Sequence, residues 1–146
     1  MKLRMLALAP LAVLAFAAPS LGGGAPIVAK PLAVGKIRAT TVHVTSGAVI
    51  LDSIRVNPGG SFGWHKHGAA VEVVVTAGTL TVLDPTVGNC TPFTVTKGQS
   101  FVEPANHVHL ARNDGKAPVT LYALYLGLPN AAASNSAETA PDGCKA

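Results

Sequence analysis

The sequence predicts an all-β domain, a single small barrel or sandwich of short strands. Three observations carry this. The chain is 49% apolar and only 12% charged, a balance that buries a core rather than solvating a disordered tail. Its 15 glycines and 11 prolines punctuate short runs rich in Val, Ile, Thr and Leu. Beyond the first residues, no stretch holds a helical period. At 146 residues the chain suits one domain with one core.

The elements follow in chain order. Lys2 and Arg4 precede an apolar run, Met5 to Phe16, that ends in Ala15-Phe16-Ala17, the pattern of a secretory signal peptide over residues 1–17. The run is about a dozen residues, short of the roughly 20 that span a bilayer. The mature chain is therefore expected outside the cell, with no membrane partner once the signal is removed. Removal lowers the formal charge from +4 to +2, nine basic against seven acidic side chains. Those basic residues are scattered, so no phosphate-tracking surface and no nucleic-acid partner are expected.

Residues 18–35, rich in Gly, Pro and Ala, read as a linker or arm, and ordered structure is expected from residue 36 to residue 128. Strands are predicted over Ile37–Thr45, Ala48–Val56, Ser61–His67, Val71–Thr76, Thr79–Leu83, Phe93–Val95, Ser100–Val102, His107–Arg112 and Pro118–Leu126. Asn57-Pro58-Gly59-Gly60 and Ala77-Gly78 mark the clearest turns. The strand ends near Ile37–Val44 offer an edge for a homodimer. Residues 129–146 read as an irregular tail. Two cysteines remain after the signal, Cys90 and Cys144, and export makes a bridge between them the default. It would enclose about 55 residues and stabilise the fold by about 4 kcal/mol on loop entropy.

Four of the five histidines fall in two pairs, His65-Lys66-His67 and His107-Val108-His109. Residues two apart on a strand share a face, so His65 and His67 project together, and His109 on a facing strand can complete an arc of three imidazoles around one divalent transition metal: Mn, Fe, Zn, Ni or Cu. Packed core histidines are the alternative, against the cost of burying unpartnered imidazoles. His107 points the same way as His109 and suits the mouth of the site or a position behind the ligands. His43, alone in its run, reads as a surface or packing residue.

At this point the chain resembles the cupin superfamily. The first cupin motif is a glycine, five residues, His-x-His, three or four residues, a glutamate and a strand-closing glycine; here Gly59, His65, His67, Glu72 and Gly78 take those places. The second is a glycine, five residues, Pro-x-Gly, two residues, His, three residues and Asn; here Gly98, Pro104, Asn106, His109 and Asn113 take those places at the motif's spacing. Asn106 stands where the motif has glycine, and Asn tolerates the same left-handed backbone. The resemblance extends to small secreted single-domain cupins of actinobacteria. It implies a double-stranded β-helix, or jelly-roll, barrel with a metal held by His65, His67, Glu72 and His109. It also implies a small-molecule ligand or substrate, with dioxygenase, decarboxylase or isomerase chemistry, non-catalytic binding, or a purely structural metal as the open alternatives.

Glu72 is the ambiguous position. Five residues separate it from Gly78 where six are usual, and counting back from that turn puts Val71 inward. Val71, Val73 and Val75 make one face and Glu72, Val74 and Thr76 the other, whereas a β-bulge after His67 would turn Glu72 back towards the metal. Glu103, next to Pro104, reads as a loop-edge carboxylate first, with a cavity-facing acid or base as the alternative.

Overall fold

The computed structural model describes residues 29–130 and 133–144. The signal-peptide segment, 1–17, and all of the linker up to residue 28 lie outside them. Residues from Pro31 onward form one compact unit. Its strands are β1 (Ala48–Val56), β2 (Ser61–Lys66), β3 (Ala70–Ala77), β4 (Thr79–Leu83), β5 (Phe93–Thr96), β6 (Ser100–Glu103), β7 (His109–Arg112), β8 (Val119–Leu128) and β9 (Ser136–Ala137). They make two antiparallel sheets in the orders β1-β8-β3-β6 and β5-β4-β7-β2-β9, the two layers of a jelly roll. Among the described residues no helix is long and apolar enough to cross a membrane.

Side-chain alternation explains why these runs pair as they do. In β3, Val71, Val73 and Val75 are at most 4% exposed, while Glu72, Val74 and Thr76 lie half-buried on the outer face. β8 repeats the pattern with Val119, Leu121, Ala123 and Tyr125 inward. These inner faces meet Leu80 and Val82 of β4, Val95 of β5 and Ala111 of β7 in one core. Each fully buried Val or Leu there contributes roughly 1.5–3 kcal/mol relative to exposure. The hairpin between β3 and β4 turns at Gly78, where φ is +77° and an added Cβ would sit 2.9 Å from Pro118 O. No side chain fits there.

Two expectations are corrected. Ile37–Thr45 forms no strand: it is exposed coil, tied to the barrel by a bridge between Lys36 and Gln99. Its Val and Thr content favours extended backbone, but β-propensity records packing on a sheet, and no free ladder receives this segment. The strand edge expected at Ile37–Val44 is therefore not formed. The tail is not wholly irregular either. β9 pairs with β2, setting Ala137 opposite His65 and Ser136 opposite Lys66. Glu138 N donates to Trp64 O at 2.9 Å, the Glu138 carboxylate meets Lys66 Nζ at 2.8 Å, and Cys144 is bonded to Cys90.

Asn113 closes the base of the barrel. It is 1% exposed; its Nδ2 donates to Val56 O and Ala117 O, both at 2.9 Å, and its Oδ1 accepts from Gly115 N at 2.9 Å. Asn113→Ala strips the buried Val56 carbonyl of its donor and removes the tie to the exposed Ala117 carbonyl, so we expect a loss of about 1–3 kcal/mol in urea-unfolding free energy. A change below about 0.5 kcal/mol, the range of ordinary surface substitutions, would contradict this account.

Candidate metal centre

His65 and His67 stand on and just beyond β2, and His109 opens the adjacent β7, directly opposite His65 in the ladder. A register shift between Ser61 and Trp64, with Gly63 at φ +70°, bends β2 just before the pair. Ser61 Oγ holds that bend by accepting from Gly63 N at 3.0 Å. The turn before β7 is set by Asn106, which takes the left-handed φ of +60° and donates its N–H to His67 O at 2.7 Å. One residue thus shapes the turn and ties the two histidine-bearing segments together.

The three imidazoles are at most 5% exposed, with ring centroids 4.3–5.0 Å apart. Each Nδ1 meets a backbone carbonyl: His65 to Gly63 O at 3.0 Å, His67 to Ser134 O at 2.6 Å and His109 to His107 O at 2.9 Å. A carbonyl can only accept, so each Nδ1 carries the proton and donates it. In the neutral ring Nε2 is then left with its lone pair. One ligating atom from each histidine can be chosen so that all three lie within 4.8 Å of one another. The Nε2 atoms of His67 and His109 are fully buried and have no aligned hydrogen-bond partner. Buried, convergent lone pairs on three imidazoles fit a divalent transition metal.

The carboxylate at this centre is not Glu72. Glu72 lies on the outer face of β3, lining a surface hollow with Leu32, Leu51, Val74 and Tyr122, and partial burial raises its carboxyl above the ordinary range. No bulge turns it inward, and its place as a metal ligand is corrected. Val71 occupies the inward position, and its partner across the ladder on β6 is Glu103. The Glu103 Oε2 lies 3.0 Å from His67 Nε2 and its Oε1 lies 3.1 Å from His109 Nε2. Glu103 is 8% exposed; burial alone would raise its carboxyl, but His109 and His67 outweigh it and hold it down at about 2. The reading of Glu103 as a loop-edge carboxylate is likewise corrected. Burial lowers His109, and the contact with Glu103 more than reverses this, leaving it raised. His65 is shifted down by burial.

His107 sits outside the cluster. Its carbonyl orients His109, while its ring turns away to Asp84, with Nε2 3.3 Å from Oδ1. Tyr125 enters the barrel against His67, ring centroids 5.4 Å apart, and its buried hydroxyl is pushed up to about 12.

Comparison with known proteins places this architecture. No curated protein sequence matches the chain. Among solved structures, a DMSP lyase from a study of RdDddP and RnDddQII aligns at TM-score 0.52 and 20% identity over 62% of this chain and 44% of that one. The DMSP lyase DddQ from Ruegeria pomeroyi aligns at 0.52 and 18% over 63% and 44%. Peruvianin-I, a cysteine peptidase from Thevetia peruviana latex, aligns at 0.51 and 22% over 62% and 55%. The alignments span about half of each of these longer chains, and proteins of such different activity share only the fold with this one. Residues 53–125, half of the sequence, match the family profile described as Cupin domain, and the chain belongs to the cupin family.

Proposed function

We propose that this chain is an exported cupin that holds one divalent transition-metal ion on His65, His67 and His109, with Glu103 supplying the anionic fourth ligand, and presents it to a small molecule. The observation that carries this reading is the set of three Nδ1–carbonyl bonds, which leave buried Nε2 atoms converging beside a carboxylate. A bound ion would supply Lewis acidity, or an open coordination position for a small-molecule oxygen. The protein's own part is to fix the imidazoles, neutralise part of the ion's charge through Glu103 and keep the inner face dry: the barrel interior beside His65, His67 and Tyr125 leaves only about 30 Å³, room for a water or two.

A purely structural metal would be sealed. Here His109 and Glu103 also line a cavity of about 690 Å³ that opens to solvent, which favours binding or turnover of a ligand. Export is supported by the Lys2/Arg4-led apolar run and by the Cys90–Cys144 disulfide, a bond that persists in oxidising compartments.

Elemental analysis of protein recovered from the secretion pathway should find one equivalent of a transition metal, and His65→Ala and His109→Ala should abolish it; a metal-free wild type would end this reading. Glu103→Gln should weaken metal affinity by at least about tenfold, as loss of groups supporting a metal site does, while Glu72→Gln leaves it unchanged. Equal affinities for these two variants would remove Glu103 from the ligand set. In the metal-free protein the Glu103 carboxyl lies near 2 when folded against 4.5 as the reference value. Its ionised form therefore contributes stability above about pH 4.5 that is lost as pH falls towards 2. Urea midpoints measured across that window should fall for the wild type and fall less for Glu103→Gln.

A further inference from the structure

The 690 Å³ cavity is of the size that accommodates small organic ligands. It lies at the seam between β5 and β6, edge strands of the two sheets, and its lining includes the buried His109 and Glu103. Val82, Val95, Phe93 and Phe101 give it apolar walls, the two phenyl rings meeting edge to face with centroids 6.4 Å apart.

Four formally charged side chains also line it: Lys36, Arg38, Asp84 and Glu103. The two acids are partnered. Asp84 Oδ1 faces His107 Nε2 at 3.3 Å and accepts from the N–H and hydroxyl of Thr86, both at 2.8 Å; Glu103 meets His67 and His109. Among the described residues, the two cations have no acidic partner within ion-pair distance.

The segment that carries these cations is built onto the seam. Lys36 N donates to Gly98 O at 2.9 Å, and Lys36 O accepts from Ser100 N at 3.0 Å. Gly35 lets the chain lie this close, because a Cβ there would stand 2.9 Å from Ser100 Cβ and 3.0 Å from Val74 Cγ1. The coil is thus fixed where it brings two positive charges without an acidic partner to a cavity that His109 and Glu103 also line.

We propose that this seam binds a small organic monocarboxylate with an aromatic or branched apolar body. Its carboxylate pairs with Lys36 and Arg38, its body lies against Phe93 and Phe101, and its far end faces His109 and Glu103. Placement of that far end rests on the metal-centre reading; recognition of the anion does not.

The test titrates the mature, disulfide-bonded protein with 3-phenylpropionate and with its neutral isostere 3-phenylpropanamide, following protein amide resonances by NMR, with metal content measured on the same samples. The carboxylate should bind about five- to tenfold more tightly, the scale of two partly exposed charge pairs. The double variant Lys36→Gln/Arg38→Gln should bring its affinity to that of the amide, leaving amide affinity and metal content unchanged. Equal binding of the two probes by the wild type, or no binding of either, overturns the proposal. A preference that survives in the double variant overturns it too, by placing anion recognition on the metal itself. A protein that loads metal without the preference sinks this proposal alone, whereas the preference in a protein that takes up no metal supports it and sinks the metal-centre reading.

Discussion

A buried imidazole must satisfy two nitrogens, and that constraint organises this barrel. The carbonyls of Gly63, Ser134 and His107 each take one N–H, and the remaining nitrogens of His67 and His109 meet Glu103. A carboxylate among neutral imidazoles calls for a cation. The contact with Glu103 raises His109 against the effect of its burial; a divalent ion would answer that demand more fully. With three neutral imidazoles and one carboxylate, a dication would retain a net charge of about +1, and an anionic ligand remains favoured at its open face.

Much of this was legible in the sequence, because much of it is local. The two histidine pairs, the Gly78 turn and the alternation of Val71, Val73 and Val75 all follow from period-2 geometry within single strands. Parity also warned against Glu72. Glu103 could not be found in this way, because its role depends on the pairing of β6 with β3, which sets it opposite Val71. Nothing in either strand taken alone specifies that register, and the adjacent Pro104 pointed to a loop. A signal was nonetheless present: an inward valine where the motif wants an acid calls for a search of the neighbouring strand.

The misreading of Ile37–Thr45 as a strand has the same origin. Its composition is strand-like, yet pairing requires an available ladder, and availability is a property of the whole fold. The tail errs in the other direction: Ser136 and Ala137 carry no strand signature, but β2 offers them an edge. The barrel fold, for its part, chooses no activity. Proteins sharing it at TM-scores just above 0.5 include lyases and a peptidase, so chemistry must be read from the seam and the centre rather than from the topology.

The carbonyl that fixes His67 belongs to Ser134, in the tail secured through β9 and the Cys90–Cys144 bond. The orienting carbonyls thus span residues 63 to 134. An emerging polypeptide cannot complete the centre until Ser134 is free to fold back onto His67. If the chain crosses a membrane unfolded before its cysteines oxidise, an ion bound there would be drawn from the outer compartment's supply, and cytoplasmic metal competition would not decide which element fills the site.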